Sequence, residues 1–412
     1  MAGTRIAYIL LWFPEPSQTF VLDEVNTLVR LGAAVKVYTL YGPRPPSQVA
    51  GMGPAAAPVQ PLGTACIPAI LKELVCSLRN SGGEARRFLI YVLKRRWRSW
   101  ESAGEALWAA LAGFYLAPRF LREGVGHIHA PWADGPATAA WVASGLSGIP
   151  FSFCARAHDV YPPDGALKEK LAAAAFVRAE SRATRNYLVA LAPGAAPKLT
   201  VIYNGLPLPA NPAPPRPPQP PYRLTALGRF VEKKGFAGLL LACRHLRDQG
   251  LDFRLTLAGD GPQRRRLCRL IREYNLEEQV ELPGFVPHRR VPDLLRGSDL
   301  FIMPSRIDPS GDRDGIPTVI LEALAHEVPV VATAVSGLPE VIHPGETGWL
   351  VPPDDPLALA QAVMEALSRP KEAHRRARVG RRLVSREFDS LRNYARLKAL
   401  LESRGTGTGP TG

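Results

Sequence analysis

Residues 314–322 read D-G-I-P-T-V-I-L-E, and this stretch decides how the second half of the chain is expected to fold. The apolar run from Val319 onward predicts a helix that starts near Pro317, because proline is favoured in a first helical turn. An apolar strand follows at 329–332. Helix followed by buried strand is typical of a parallel α/β sheet. Because free N–H groups at a helix start attract anions, the stretch also predicts an anion site.

The same alternation extends towards the N-terminus. In the second half, a helix is predicted from Gly235, and further strands are predicted at 222–227, 253–258 and 300–303. In the first half, strands are predicted at 6–11, 34–40, 127–129 and 148–154, and helices at 19–31 and 67–123. The loop 13–19 then lies at the carboxyl end of the first strand, where open α/β sheets bind ligands.

A proline-dense segment, 207–222, separates two α/β patterns. Such a segment favours extended geometry and cannot build a core, so we interpret it as a linker. The predicted domains are 1–206 and 223–388, with a further helix at about 389–404 and a disordered tail at 405–412. Two open α/β domains joined in this way are expected to face each other across a central cleft, a common kind of ligand site.

Composition narrows the class of protein. The chain carries 51 Lys and Arg against 37 Asp and Glu, a net charge of +14, which favours a phosphate-rich substrate, a nucleic acid or an anionic membrane surface as partner. Five cysteines without CxxC spacing predict reduced thiols in a cytoplasmic protein. The first apolar run ends at Pro14 without a cleavage site, which favours a strand over a signal peptide. No apolar run is long enough for a transmembrane helix.

Residues 86–100 interleave basic and aromatic side chains within the predicted helical region. One interpretation is a helix that docks on anionic lipid. The alternative is a solvated basic face, with Trp97 and Trp100 packed inside the protein.

The loop 228–235, G-R-F-V-E-K-K-G, follows a predicted strand and carries two well-placed cations. Arg229 offers a planar fork for phosphate oxygens, and Lys234 adds a compact charge. Gly228 and Gly235 let the backbone approach a ligand closely. The alternative is a solvated turn.

Several other positions could complete such a site. Glu322 lies among apolar helix residues, where a carboxylate is costly unless it accepts hydrogen bonds, for example from a ribose diol. Alternatively, it lies on an exposed helix face. Ser336 and Gly337 follow the strand at 328–332 and could line the site or form an ordinary turn. His158 could contact a sugar, although a lone histidine is more often structural.

Other signatures are absent or incomplete. Asp312-Arg313-Asp314 spells D-x-D, a metal–diphosphate motif, but the following helix start can already serve phosphates, so we expect no metal. Neither a G-x-G-x-x-G after the first strand nor a phosphate-binding G-x-x-x-x-G-K-[ST] is present, which argues against a dinucleotide dehydrogenase and a P-loop nucleotidase.

The loop G-R-F-V-E-K-K-G and the stretch 314–342, with the continuation G-E-T-G-W-L-V-P-P-D-D, resemble glycosyltransferase family four. These are retaining enzymes of the GT-B fold, in which two Rossmann-like domains face across a central cleft and a final helix packs back on the first domain. F-P-E-P-S-Q-T-F-V-L-D-E, H-I-H-A and F-S-F-C-A-R-A-H-D-V-Y are similar to the subgroup of colanic-acid and related exopolysaccharide glycosyltransferases.

The resemblance implies roles for individual residues. Arg229 and Lys234 would hold the donor diphosphate, Glu322 would bind the ribose, and Asp314 would contact the transferred sugar. His158 would face that sugar from the first domain. The remaining donor-binding positions implied are Gly228, Gly315, Ile316, Pro317 and Thr318.

The chain also departs from the family. Asp314 stands where glutamate is usual, residues 14–19 replace a Gly-Gly turn, and Pro131 and Arg156 stand where the subgroup often has histidine. These positions concern the sugar and the acceptor rather than the type of reaction.

The resemblance thus implies a hexosyltransferase-type enzyme without cofactor or metal. It would transfer a sugar, with retention, from a nucleoside-diphosphate sugar to a glycan or lipid-linked glycan, in exopolysaccharide or cell-surface polysaccharide biosynthesis. We expect a cytoplasmic location, with the inner face of the cell membrane as a candidate surface, and no nucleic-acid partner. Alternatives are a phosphorylase-like or sugar-phosphate-accepting enzyme on the same fold, and a non-catalytic nucleotide-sugar or polyanion-binding protein.

Overall fold

The computed structural model describes residues 3–49, 52–80, 82–94, 99–163, 165–209 and 217–403. The chain forms two compact units: unit 1 comprises the chain up to Gly205 together with the segment from Ser390 onward, and unit 2 comprises Leu206–Asp389. Part of the predicted linker, residues 210–216, and the predicted tail 405–412 lie outside the described residues.

Unit 1 contains a seven-stranded parallel sheet in the order β3-β2-β1-β4-β5-β6-β7. Its strands are β1 Arg5–Leu10, β2 Ala34–Thr39, β3 Val59–Pro61, β4 His127–Ala130, β5 Phe151–Ala155, β6 Phe176–Ala179 and β7 Leu199–Val201. Its helices are α1 Thr19–Arg30, α2 Pro46–Val49, α3 Ile67–Asn80, α4 Gly82–Lys94, α5 Trp100–Glu123, α6 Gly135–Ser147, α7 Leu167–Ala173 and α8 Arg182–Leu191.

The predicted helical region 67–123 is three helices, α3, α4 and α5. Ser99 caps α5 by accepting a hydrogen bond from the Ser102 amide at 3.1 Å, which starts a new helix. α5 and α6 pack closely because their facing residues are small: a Cβ at Gly113 would lie 2.7 Å from the Cβ of Val142. The α5–α6 contact therefore depends on glycine at position 113.

Unit 2 contains a six-stranded parallel sheet in the order β10-β9-β8-β11-β12-β13. Its strands are β8 Tyr222–Leu227, β9 Phe253–Ala258, β10 Val280–Glu281, β11 Leu300–Met303, β12 Val330–Thr333 and β13 Trp349–Val351. Its helices are α9 Phe236–Asp248, α10 Arg264–Glu273, α11 Val291–Arg296, α12 Thr318–Ala325, α13 Pro356–Ser368 and α14 Pro370–Glu387. The predicted pair of Rossmann-like domains is confirmed.

Each sheet has a point where the strand order reverses. In unit 1, β1 lies between β2 and β4, and in unit 2, β8 lies between β9 and β11. Open α/β sheets bind ligands beside the carboxyl ends of the strands at such a point. In unit 2 the loops that meet there follow β8 and β11, and these loops carry the predicted phosphate and sugar residues.

The last helix, α15 Ser390–Ser403, belongs to unit 1 and packs on α1. Its Leu397 and Leu401 are buried in the same cluster as Val25 of α1. The Tyr394 hydroxyl accepts a hydrogen bond of 3.0 Å from the Gly205 amide. Among the described residues, no helix combines the length and the apolar character that crossing a bilayer requires.

Candidate donor site in unit 2

The loop after β8 is held against the neighbouring strand ends by two glycines. Gly235 has a φ of +68°, and a Cβ there would lie 1.8 Å from the Pro304 carbonyl oxygen. Gly259 has a φ of +138°, and its Cβ would lie 1.9 Å from the Gly228 carbonyl oxygen. Only glycine fits both the conformation and the space at these positions, so the loop backbone is fixed where β8, β9 and β11 end.

Two of the residues predicted for this site lie together. The Lys234 Nζ is 2.9 Å from the Asp314 Oδ2. The stem of Lys234 crosses Gly228, where an added Cβ would approach the lysine Cε to 3.2 Å. Lys234 therefore reaches Asp314 across a position that has no side chain.

Asp314 is only 8% exposed, and its environment favours the ionised form. The Ser305 hydroxyl donates a hydrogen bond of 2.9 Å to Asp314, and the Thr333 hydroxyl donates to the Ser305 carbonyl. Burial raises the pKa of Asp314, but the charges of Lys234 and Lys233 and the hydrogen bonds from Lys234 and Ser305 outweigh it and lower the pKa below its ordinary value. Asp314 thus stays an anion beside a fixed ammonium.

Asp312 and Asp314 of the D-R-D sequence each form an ion pair with a lysine. The Lys233 Nζ lies 2.9 Å from Asp312 Oδ1, and the Lys233 side chain is 8% exposed. The Lys233 carbonyl also accepts a hydrogen bond of 2.8 Å from the Arg306 amide. Within the described residues, no group of three or more His, Cys, Asp or Glu side chains is placed to hold a metal.

Arg229 is the exposed cation of the loop. Among the described residues, no hydrogen bond or ion pair involves its side chain, whereas its carbonyl accepts from the Val231 amide at 2.8 Å. The nearby Glu232 is engaged elsewhere, by Arg306 at 2.8 Å and Arg266 at 3.0 Å. The Arg229 guanidinium is therefore available to an anionic ligand.

The helix after the D-R-D loop starts at Thr318, one residue later than predicted. Pro317 is the N-cap residue, with φ −61° and ψ 126°, and no side chain caps the helix. The first N–H groups of a helix have no partner within it, so this end can receive an anion. Gly315, Ile316 and Pro317 are buried, and Thr318 is half-buried.

Glu322 lies on α12 with most of its side chain buried. Its side chain is 14% exposed, and its Oε1 lies 3.4 Å from the Nε2 of His288, which precedes α11. The interpretation as an open helix face is therefore wrong. Sequence reasoning missed His288, because the residue comes from a turn between β10 and α11 that no motif marks.

Ser336 follows β12 at the same edge of the sheet. It adopts a φ of +51°, and its buried Oγ has no hydrogen-bond partner among the described residues. A buried hydroxyl without a partner is costly, and a ligand oxygen would satisfy it. Ser336 is therefore a candidate ligand contact, as the sequence suggested, and Gly337 beside it is buried.

In unit 1, the strand-end loops after β1, β4 and β5 meet around Trp132. Its indole donates a hydrogen bond of 3.0 Å to Gln18 Oε1, and its ring lies 4.6 Å from the ring of His158. His158 is 45% exposed, with Nε2 3.8 Å from Asp134 Oδ2. The predicted sugar contact is thus an accessible imidazole at the switch point of unit 1.

Arg156 and Pro131, the two positions where histidine is usual in the subgroup, are bonded to each other. The Arg156 Nε donates a hydrogen bond of 2.9 Å to the Pro131 carbonyl. The guanidinium is buried, 4.6 Å from the Phe20 ring and 5.3 Å from the Trp132 ring. Arg156 was expected on the side that meets sugar or acceptor, but it is an internal support of the loop that carries Trp132.

A buried polar network below this loop is a second feature that sequence reasoning missed. Glu24 accepts hydrogen bonds from Arg178 and Arg156, and Asn204 Oδ1 accepts from both arginines. The Asn204 amide donates to Glu180 at 3.2 Å. Burial raises the pKa of Glu180 to about 7, although Arg156 lowers it. The network ties α1 to the ends of β5, β6 and β7.

Comparison with known proteins identifies similar glycosyltransferases. The sequence profile of the family described as glycosyl transferases group 1 matches residues 209–383. The putative colanic acid biosynthesis glycosyltransferase WcaL of Salmonella typhimurium is 44% identical over 142 residues, covering 34% of this chain and 35% of WcaL. The amylovoran biosynthesis glycosyltransferase AmsK of Erwinia amylovora is 35% identical over 180 residues, 44% of each chain. These alignments span less than half the length of the relatives.

Solved structures match nearly the whole chain. A glycosyltransferase from Rickettsia africae has a TM-score of 0.72 at 18% identity, covering 98% of this chain and 100% of that one. Alr3699/HepE from Anabaena, in complex with UDP, has a TM-score of 0.69 at 18% identity, covering 97% and 100%. At such identities the similarity shows the fold alone. The chain therefore has the GT-B fold, and its residues 209–383 match the profile of the family described as glycosyl transferases group 1.

Proposed function

We propose that this protein is a retaining hexosyltransferase that moves a sugar from a nucleoside-diphosphate sugar to a hydroxyl of a glycan or lipid-linked glycan. The observation that carries the proposal is the Lys234–Asp314 pair at the switch point of unit 2, with the available Arg229 and the start of α12 at the same strand ends. Cations and free amides suit a diphosphate, and a fixed carboxylate suits sugar hydroxyls.

Each part of the donor has a proposed partner. The diphosphate is bound by Arg229, Lys234 and the backbone of 315–318, with Gly228 leaving room for the lysine. The ribose diol donates to Glu322. The transferred sugar is contacted by Asp314, and the family resemblance implies a further contact by His158. A nucleotide-sugar donor is supported by Alr3699/HepE, which was crystallised with UDP and with UDP-glucose.

The Lys234 ammonium can donate a hydrogen bond to the leaving phosphate while it stays paired with Asp314. It has three N–H donors, so one can stay on the carboxylate while another meets a phosphate oxygen. In the oxocarbenium-like transition state, negative charge grows on that oxygen, where a preorganised cation stabilises it most. Asp314 holds the cation in position beforehand.

The proposed transfer takes place on one face of the sugar. The bond between the anomeric carbon and the phosphate oxygen breaks, and the acceptor oxygen bonds to the same face of that carbon. The acceptor proton passes to the leaving phosphate oxygen. No enzyme nucleophile is required, and the configuration at the anomeric carbon is retained.

We propose that the reaction needs no divalent metal. Asp312 and Asp314 are each engaged by a lysine, and the cations of the loop can neutralise the diphosphate. Turnover that persists in excess EDTA is the expected result. Loss of turnover with EDTA and its recovery with Mg²⁺ or Mn²⁺ would overturn this part of the proposal.

The relatives named for colanic acid and amylovoran biosynthesis support a role in exopolysaccharide or other cell-surface polysaccharide biosynthesis. The proposed location is the cytoplasm, with a peripheral position at the inner membrane surface. The proposed partners are the donor and a glycan acceptor, and no nucleic acid.

A thermal-shift series with UDP-, GDP- and ADP-sugars tests the donor, because a ligand that binds the folded state raises the apparent stability. The best donor is then incubated with glycan acceptors, and the anomeric configuration of the product is read by NMR. Retained configuration supports the proposal. Binding without transfer or donor hydrolysis would indicate a binding protein, and sugar 1-phosphate formed with inorganic phosphate would indicate a phosphorylase-like enzyme.

A further inference from the structure

Helices α3 and α4 of unit 1 carry apolar side chains on their exposed faces. On α3, Ile67, Leu71 and Val75 recur every four residues, which places them in one stripe. On α4, Ile90 and Leu93 are three apart, and Leu93 is 68% exposed. The opposite faces are covered: Ile70 of α3 and Ala85, Phe88 and Val92 of α4 are buried.

Trp100 extends this apolar character to the start of α5. Its side chain is 95% exposed, so the alternative in which it packs inside the protein is wrong. Trp97, Arg95, Arg96 and Arg98 of the same sequence stretch lie outside the described residues.

Basic residues alternate with the apolar ones along both helices. Among the described residues, the exposed faces carry five cations and one acidic residue, Glu84, whose Oε1 lies 3.3 Å from Arg87. Two further acidic residues lie close by: Glu73 of α3 is half-buried, and Glu101 next to Trp100 is exposed. We call this set the basic–apolar face of α3 and α4: Ile67, Leu71, Lys72, Val75, Arg79, Arg86, Arg87, Ile90, Leu93, Lys94 and Trp100.

We propose that the basic–apolar face docks on the surface of a bilayer that contains anionic phospholipid. Helices that lie in a membrane interface combine an apolar stripe with flanking Lys and Arg, and tryptophan is favoured at that depth. The apolar side chains enter the headgroup boundary, and the cations contact lipid phosphates. The charge of the face complements an anionic bilayer.

This inference does not rest on the proposed reaction, because the face is built from α3, α4 and the first residue of α5 and includes no residue proposed for the donor. Lipid binding and sugar transfer can therefore fail or succeed separately. The face also includes the apolar stripe of α3, which lies outside the basic–aromatic sequence pattern at 86–100.

Vesicle sedimentation of the full chain tests the proposal. The probes are vesicles of phosphatidylcholine alone and vesicles of equal parts phosphatidylcholine and phosphatidylglycerol. The variants are Leu71→Ser with Leu93→Ser, and Arg86→Glu with Lys94→Glu. Matched controls in unit 2 are Leu357→Ser, which is exposed to a similar degree as Leu71, and Arg265→Glu, also exposed. Circular dichroism checks that each variant is folded.

We expect the wild-type chain to sediment with the anionic vesicles only, and added salt to weaken the binding. Each cation near an anionic bilayer contributes about fivefold in affinity, so the double charge reversal should reduce binding by at least about 25-fold. The double serine variant should also lose binding, and both controls should bind as the wild type does. Absence of binding, or equal binding to neutral vesicles, would overturn the proposal. A dimer in solution that dissociates in the double serine variant would also overturn the proposal, because the face would then be covered by a second copy of the chain.

Discussion

The Lys234 ammonium lies 2.9 Å from the Asp314 carboxylate, although eighty positions separate the two residues along the chain. The lysine comes from the loop after β8 and the aspartate from the loop after β11. Neither loop alone forms the pair, which exists because those two strands are neighbours in the sheet. The ion pair therefore depends on the strand order, and the proposed chemistry depends on the ion pair.

Lys234→Ala should lower kcat about 100- to 1,000-fold, because it removes one preorganised charge from the leaving phosphate. Lys233→Ala is the control: it removes the adjacent buried lysine, which pairs with Asp312 rather than Asp314. We expect the control to lose stability but to keep much more of its turnover. Steady-state kinetics with the best donor measure both. Unchanged turnover in Lys234→Ala would contradict the assignment.

Asp314→Glu should change which sugar is preferred more than it changes the rate of transfer from the native donor. The added methylene keeps the charge and a partner for Lys234, but it moves the carboxylate relative to the transferred sugar. We expect the ratio of kcat/KM values between two sugars on the same nucleotide to shift. Asp314→Asn, which removes the charge, should lower kcat/KM for every sugar. A Glu variant with an unaltered sugar ratio would argue that Asp314 does not contact the sugar.

Glu322→Gln should weaken binding of the nucleoside diphosphate, because a hydrogen bond to a charged group contributes about 1.5–3 kcal/mol, or about 10- to 150-fold. The wild type should discriminate against the 2′-deoxy nucleotide, and the variant should lose most of that discrimination. Isothermal titration calorimetry with both nucleotides gives the comparison. His288→Gln is the companion variant, since it alters the neighbour and leaves the carboxylate. Equal discrimination in Glu322→Gln and the wild type would exclude a ribose contact.

Gly235→Ala should destabilise unit 2 strongly, because the residue has a positive φ and its Cβ would overlap the Pro304 carbonyl oxygen. Several kcal/mol are expected, since strain and overpacking each cost about 1–3 kcal/mol. Gly238→Ala on α9 is the matched control. It has open space, and it should stabilise the helix by about 0.5–1 kcal/mol. Urea unfolding followed by circular dichroism measures both, and similar midpoints for the two variants would show that the loop can relax.

Glu180 predicts a pH dependence of stability. Its pKa is about 7 in the folded protein, against an ordinary value of 4.5. Between these values the folded state binds more protons than the unfolded state, so this residue makes stability fall as the pH rises from about 4.5 to about 7. The contribution is complete below this window and lost above it.

Glu180→Gln stays neutral at every pH and should remove this pH dependence. The free energy of unfolding of the wild type should fall by about 3 kcal/mol across the window because of Glu180, and that of the variant should not. Urea unfolding at a series of pH values gives the test. The charged and titratable groups around Glu180 are Arg156, Arg178 and Asp159, and they are the same in both proteins. Parallel stability curves for variant and wild type would show that Glu180 does not titrate in this range.

In unit 2, Leu300–Met303 could be predicted because a parallel strand buried on both faces reads as a continuous apolar run, and Tyr222–Leu227 because polar Arg223 and Thr225 alternate with apolar residues. Tyr222–Leu227 and Leu300–Met303 were predicted with the bounds observed. The proposed phosphate residues could be predicted as well, since glycines and cations are concentrated in short loops after such strands. Local pattern was sufficient in both cases.

Tertiary pairing could not be predicted in the same way. Glu24, Arg178 and Asn204 meet only because α1, β6 and the chain after β7 are brought together by the sheet, and no spacing in the sequence marks them. The same holds for Arg156, whose burial reverses its expected role. The break between α4 and α5 was missed because both sides have strong helical periodicity and the cap at Ser99 is local.

The chain leaves unit 1 at Gly205 and re-enters it at Ser390, and these two points touch: a Cβ at Gly205 would lie 2.5 Å from the Ser390 Cα. Unit 2 is thus an insertion in unit 1, which lacks Tyr394, Leu397 and Leu401 until α15 has been made. Domains usually fold in the order of their synthesis. During synthesis on the ribosome, this order should be inverted: unit 2 can finish folding before α15, which completes the core of unit 1, has been made.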